Sequence, residues 1–279
     1  MNSLSFKRKM KKLTTAVLLS TFITVLGACG AAEEAPDPDV TGEDPVEQEE
    51  TAEVEQVTFG VVQDYPPFEY IDEDRELTGY DVELVEAIAE KENLEVDWNI
   101  MNFDGIIPAL QAQQIDGAVA AITIREDRKE VVDFTDPYFE SGLSLVVKED
   151  SHIEKIEDLD GANIAAKQGT TSLEQAREFA EQYNGDVMVF SEDAALYMSV
   201  ESGNADALIN DYPSVAYKIR MDGEDSVLRI VGERLTGEDY GIAIAKGNEE
   251  LLKKFNRGLQ TLRDSGEFQE IYDRYFAEE

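Results

Sequence analysis

Residues 81–94, DVELVEAIAEKENL, place Val82, Val85, Ile88 and Ala89 on one face at the helical period. Before them, VTFGVV (57–62) is a β-rich run of strand length. The same exchange of period recurs along the chain. DGIIPALQAQQ (104–114) reads as a helix, with Asp104 as its expected N-cap and Pro108 in its first turn. DGAVAAITI (116–124), SGLSLVVKE (141–149) and GANIAAK (161–167) read as strands. SLEQAREFAEQY (172–183) is helical through Leu173, Ala176, Phe179, Ala180 and Tyr183. DVMVF, DALIN and YGIAIAK are further short strands, and the C-terminal end is helical with a break at Gly266. Strands alternating with helices predict an α/β fold with largely parallel sheets.

The chain has 279 residues, enough for one or two cores. It carries 61 Asp and Glu against 24 Lys and Arg, a formal net charge of −37. Such a surface repels nucleic acid and anionic lipid, so neither is an expected partner. It remains soluble where salt screens self-repulsion, which fits a saline or alkaline habitat.

Chemistry-bearing motifs are sparse. There is one histidine, His152, in the hydrophilic stretch KEDSHIEK, and one cysteine, Cys29. A Ser-His or Cys-His nucleophile pair has little material here, and no Cys/His metal cluster, Walker loop or GxGxxG turn occurs. No cofactor, metal or catalytic residue is therefore expected, and the reading is not an enzyme.

The N-terminus has a separate logic. KRKMKK (7–12) precedes LTTAVLLSTFITVLGACG (13–30), an apolar run that ends in small residues and Cys29. The first 28 residues contain no acid, whereas Gly30 to Val54 contains many acids, no aromatic and no basic residue. These patterns predict a signal peptide over 1–28 and an acidic, disordered tether over 29–54. LGAC (26–29) resembles the bacterial lipoprotein box, which implies cleavage before Cys29 and its acylation, palmitate included. The chain would then be held at the outer face of a cell membrane, extracellular or periplasmic, without spanning it.

One further run poses the functional question. In AITIREDRKEVVDFTDPYF (121–139), Thr123 closes an apolar stretch and Arg128 follows five residues on. The pair belongs either to a solvated turn or to a site for a small anion. Together with YPPFEY (65–70), LTGYDVELVEAIAEKENLEVDW (77–98), DLDGANIAAKQGTTS (158–172), GNADALINDYP (203–213), YGIAIAKGN (240–248) and the tail LQTLRDSGEFQEIYDRYF (259–276), it resembles the bacterial extracellular solute-binding proteins of the polar amino acid type, glutamine-binding proteins among them. These are the receptors of ABC importers.

The resemblance implies a two-lobed periplasmic-binding-protein fold of type II with two hinge-crossing strands. One lobe is expected at 55–138 plus 241–279 and the other at 143–237, with crossings near Ser141-Gly142 and Tyr240-Gly241. The expected partners are a free amino acid and a membrane permease, and a monomer is expected. Matched position by position, Thr123 and Arg128 would hold the ligand carboxylate, with Ala121 beside them. Thr170 and Thr171, in KQGTTSLEQ, would add backbone N–H groups at a helix start. Asp211 would take the ammonium, and Tyr65 and Phe103 would wall the side chain. Lys167 and Asn210 would meet the side chain's polar end. A lysine there is expected to repel basic ligands and to suit an amide or carboxylate oxygen, which makes glutamine the first choice. Many relatives have an acid at the position of Val62, and Gln63 or Asp64 is a possible replacement. Two alternatives use the same fold: a cyclohexadienyl or arogenate dehydratase-like enzyme, and an amino acid sensor module, the latter expected on a longer membrane chain.

Overall fold

A computed structural model describes residues 54–277. The signal peptide, Cys29 and nearly all of the tether lie outside the described residues.

The chain opens with β1 (Glu55–Val61), then a small meander of β2 (Asp64–Tyr65), β3 (Glu69–Ile71) and β4 (Leu77–Thr78). Helix α1 (Tyr80–Lys91), β5 (Leu94–Ile100), α2 (Phe103–Gln111), β6 (Gly117–Ala118), the short α3 (Glu126–Lys129) and β7 (Val132–Phe134) follow. β8 (Phe139–Ser141) leads into the second half: β9 (Leu143–Lys148), β10 (Asn163–Lys167), α4 (Thr171–Gln182), β11 (Asp186–Phe190), α5 (Asp193–Glu201), β12 (Ala207–Asp211), α6 (Tyr212–Asp222) and β13 (Leu228–Val231). β14 (Glu238–Tyr240) returns to β15 (Ala243–Ala245), α7 (Glu249–Ser265) and α8 (Glu267–Phe276).

These elements build two five-stranded sheets, ordered β5-β1-β6-β15-β7 and β11-β10-β12-β9-β13. Between them β8 and β14 pair antiparallel, Ser141 opposite Glu238 and Phe139 opposite Tyr240. This is the two-lobed periplasmic-binding-protein architecture, with two strands crossing at the hinge. The sheets are mixed rather than uniformly parallel. β1, β5 and β6 run parallel, as do β10, β11 and β12, but β15 runs against β6 and β9 against β12. β9 and β15 are the strands delivered by the crossings, so each enters its sheet in the reverse direction.

At the crossing the two segments pass so closely that a Cβ on Gly142 would lie 2.1 Å from the Thr236 carbonyl oxygen. Only glycine fits there. The Ser141 hydroxyl donates to the Tyr240 hydroxyl at 2.8 Å, and the Thr236 hydroxyl accepts from Leu143 N–H at 3.0 Å.

The central strands of each sheet are buried on both faces. In β9, Leu143, Leu145 and Val147 share a core with Leu173 and Ala176 of α4, whereas Val146 faces Leu196 and Val200 of α5. In the first lobe Val82, Val85, Ile88 and Ala89 of α1 are buried, as their spacing predicts, and Leu84 joins them. Ile88 and Phe255 have no exposed surface, and each such side chain contributes about 1.5–3 kcal/mol on burial.

Some local expectations need correction. Residues 116–124 do not form one strand: the ladder holds only Gly117–Ala118, and Ala121 adopts a left-handed φ of 46°. The chain bends there, and Thr123 touches the crossing through a bridge to Tyr240. Helix α2 begins at Phe103, so its N-cap is Asn102 and not Asp104, and Pro108 falls inside the helix rather than in its first turn. Helix α4 starts at Thr171 and is capped by Thr170, whose hydroxyl accepts from Leu173 N–H at 3.2 Å.

Candidate functional site

All ten side chains read from the sequence converge on one cavity between the lobes. It leaves about 20 Å³ of free space, close to room for one water, and is lined by Tyr65, Phe103, Ala121, Thr123, Arg128, Lys167, Thr170, Thr171, Asn210 and Asp211. Val62, Glu69 and Ala120 complete the lining.

Arg128 is 6% exposed although it lies in a charge-rich stretch. Its guanidinium donates to the Thr123 carbonyl at 2.9 Å and, across the cleft, to the Gly169 carbonyl at 3.1 Å. It also lies over the Phe103 ring, 5.6 Å from the centroid. Burial and the neighbouring Arg125 lower its pKa to about 10, so it stays charged at neutral pH. Its partners are carbonyls and an aromatic face rather than a carboxylate, so the fork keeps its affinity for an anion. The solvated-turn reading fits Arg125 instead, which pairs with Asp127 at 2.8 Å and with Glu174 of the facing lobe at 2.6 Å. The Thr123 hydroxyl donates to Glu238 of the crossing strand at 2.7 Å. Sequence reasoning did not include Glu238.

Asp211 closes β12 immediately before α6. Its Oδ2 accepts from the Tyr65 hydroxyl at 2.5 Å, a bond that links the lobes. Burial raises its pKa to about 7, helped by Glu238, although the Tyr65 and Tyr240 hydroxyls favour the anion. A cationic group beside it would relieve that cost.

Lys167 differs most from expectation. Its ammonium is bound by Asp193 and lies 3.2 Å from Asp64, and Asp64 also accepts from Asp193 N–H at 2.9 Å. Burial opposes the lysine's charge, but Asp193 and Asp64 outweigh it and hold its pKa above the ordinary value. Two carboxylates thus neutralise the charge expected to repel basic ligands, and that argument against them fails. Asp64 is occupied in this way and Gln63 lies outside the lining, so neither places an acid at the position of Val62 in the cavity. The Asn210 amide donates to Asp193 at 3.3 Å and to the Tyr197 hydroxyl at 3.2 Å.

Thr170 caps α4, and its hydroxyl donates to the Lys167 carbonyl at 2.7 Å. Thr171 Oγ1 reaches Thr123 Oγ1 at 3.3 Å across the cleft. Polar contacts between the lobes cluster at the cavity, and others, such as that from the Ser214 hydroxyl to the Pro66 carbonyl at 3.1 Å, lie outside it.

Two α/β lobes closing over a polar cavity, on a pair of crossing strands, define the two-lobed class of binding proteins for small solutes. The chain belongs to the bacterial extracellular solute-binding proteins, family 3, whose sequence profile matches residues 57–278. It is 32% identical over 281 residues to the ABC transporter glutamine-binding protein GlnH of Bacillus subtilis (strain 168), covering 97% of this chain and 99% of that one. Among solved structures it is similar to an ancestral arginine-binding protein bound to arginine, at TM-score 0.76 and 38% identity, over 80% of this chain and 98% of that one. An ancestral arginine-binding protein bound to glutamine aligns at TM-score 0.75, with 38% identity over 80% of this chain and 98% of that one. The chain is thus an amino acid-binding protein of the ABC-transporter class and not an enzyme. No helix among the described residues is long and apolar enough to cross a membrane.

Proposed function

We propose that this protein is the receptor of an amino acid ABC importer, and that it holds its ligand in the cavity between the lobes with glutamine as the first ligand. The observation that carries the reading is a single cavity lined by both a buried guanidinium, Arg128, and a carboxylate, Asp211, with aromatic walls from Tyr65 and Phe103. A free amino acid supplies the complementary carboxylate and ammonium, and burying either without a partner is costly. Arg128 and Thr123 take the carboxylate, aided by N–H groups at the start of α4, and Asp211 takes the ammonium. Lys167 and Asn210 face the side-chain amide. The lobes comprise 55–138 with 241–279, and 143–237, and their closure presents a surface to the permease as a monomer.

Glutamine is supported by the ammonium of Lys167 in the lining and by the likeness to GlnH. Arginine is the second reading, favoured by the carboxylates that surround the single ammonium of Lys167. Calorimetric titration with the twenty amino acids at pH 7 tests both. Glutamine is expected to bind tightest, with arginine at least tenfold weaker, a difference of about 1.4 kcal/mol. Tighter binding of arginine would replace the ligand, and failure of every amino acid to bind would remove the receptor reading.

The anchor is a separate element of the proposal. LGAC supports lipidation of Cys29 after removal of residues 1–28, with the acidic segment to residue 54 as tether. Cys29→Ser is expected to move the protein from the membrane fraction to the medium or periplasm. An unmodified Cys29 in the intact mass from the native host would disprove this.

A further inference from the structure

Glu69 is a fully buried carboxylate on β3 with no hydrogen-bond partner on either oxygen, and it lines the cavity. Beside it stands Asp81 of α1, also fully buried. Asp81 Oδ2 accepts from Ala121 N–H at 2.8 Å and from the Tyr138 hydroxyl at 2.9 Å, whereas its Oδ1 has no partner. Two facing carboxylates with three unpartnered oxygens in a dry site are unsatisfied if both are ionised. One proton between them solves most of this: Glu69 donates to Asp81 Oδ1, and one oxygen of Glu69, itself a lining residue, remains without a partner.

The charges that act most on Glu69, apart from Asp81, are Lys167 of β10 and Asp193 of α5. On the amino acid-receptor reading, Lys167 stands at the ligand's side-chain end. The groups around the pair are thus Lys167 and Asp193 from the facing lobe, Tyr138 before β8, Tyr80 beside Asp81 on α1, and Tyr65 of β2 in the shared lining. Of these only Lys167 favours ionisation of Glu69, and two carboxylates already neutralise it.

We propose that Glu69 and Asp81 hold one shared proton and that the remaining Glu69 oxygen reads the charge of the ligand's side chain. The inference rests on the amino acid-receptor reading above. A neutral amide donates to that oxygen and leaves the proton in place. A guanidinium or ammonium is accepted only as the shared proton leaves to solvent, cation in and proton out, with charge balanced. The direction agrees with the titration of the two groups: burial, then Asp81, pushes Glu69 well above the usual carboxylate range, and burial raises Asp81 to about 6. The pair therefore discriminates by pH. Arginine gains on glutamine as pH rises, because less work is needed to remove the proton.

The test is titration of the purified full chain with arginine and with glutamine at pH 6, 7 and 8, in two buffers of different ionisation enthalpy. The two ligands share their α-groups, so comparing them cancels titration at Asp211. Arginine is expected to release up to one proton more than glutamine. The arginine-to-glutamine affinity ratio should rise by up to about tenfold per pH unit. Glu69→Gln keeps a donor to Asp81 and should abolish both the extra proton and the slope. Asp81→Asn, which accepts from Ala121 and donates to Glu69, should move the rise to lower pH. Equal proton release for the two ligands overturns the inference, as does a slope that persists in Glu69→Gln and so belongs to Asp193. Arginine that does not bind at pH 8 overturns it too. A wild-type chain that binds neither ligand overturns the receptor reading itself, and is told apart because no ratio then exists.

Discussion

Arg128→Ala is expected to weaken amino acid binding by about 2–5 kcal/mol, roughly 30- to 5,000-fold. The loss has two parts. The ligand carboxylate is desolvated in a closed cavity without its charged partner. The bond from Arg128 to the Gly169 carbonyl, which ties the lobes together, also disappears. Arg128→Lys should recover only a fraction, because an ammonium cannot reach Thr123, Gly169 and a ligand carboxylate with one planar fork. Arg125→Ala is the control. Its pairs with Asp127 and Glu174 are half-solvated, and such pairs contribute about 0–1 kcal/mol. Calorimetry on the three variants, with circular dichroism for folding, decides the matter. Wild-type affinity in Arg128→Ala, or a greater loss in Arg125→Ala, would return the 121–139 stretch to an ordinary charged turn.

Why one arginine of that stretch is buried and the other is not was partly legible in the sequence. Spacing alone left Thr123 and Arg128 open between a turn and an anion site, and the family resemblance tipped the balance. The helices were legible because their apolar period survives any tertiary context, as in α1 and α7. The bend at Ala121 was not, since a left-handed alanine leaves no mark on an apolar run. The neutralisation of Lys167 was hidden for another reason: Asp193 and Asp64 lie 26 and 103 positions away, in a chain where carboxylates are too common to attract notice. Glu69 and Asp81 were lost in the same background. Each sits in an ordinary motif, YPPFEY or GYDVEL, and only the placement of β3 against α1 brings them together. Tertiary juxtaposition of like charges is thus the information that local pattern does not carry, and here it bears on ligand choice.

Asp211 should make binding strongly pH-dependent, with affinity falling by up to about tenfold for each pH unit below neutrality. The sign follows from its environment. Burial raises the carboxyl pKa to about 7 in the ligand-free protein. A ligand ammonium binds the carboxylate form, so below about pH 7 a proton must leave before the ion pair can form. The same shift acts on folding with the opposite sign. A carboxyl whose folded pKa lies above its unfolded value of about 3.9 contributes stability that is complete below that value and lost as pH rises through about 7. The ligand-free protein is thus penalised by this group at pH 8, where an ammonium removes the penalty. The melting-temperature gain from glutamine should accordingly be larger at pH 8 than at pH 5.5. Asp211→Asn should keep a partner for the Tyr65 hydroxyl, lose about 2–5 kcal/mol of binding at pH 8, and lose most of the pH slope. The measurements are dissociation constants from pH 5 to 8 and paired thermal melts for wild type and Asp211→Asn. A wild-type affinity that stays flat across this range would exclude Asp211 as the ammonium partner. A slope left intact in Asp211→Asn would move that titration to Asp193, whose buried carboxyl is raised to about 6.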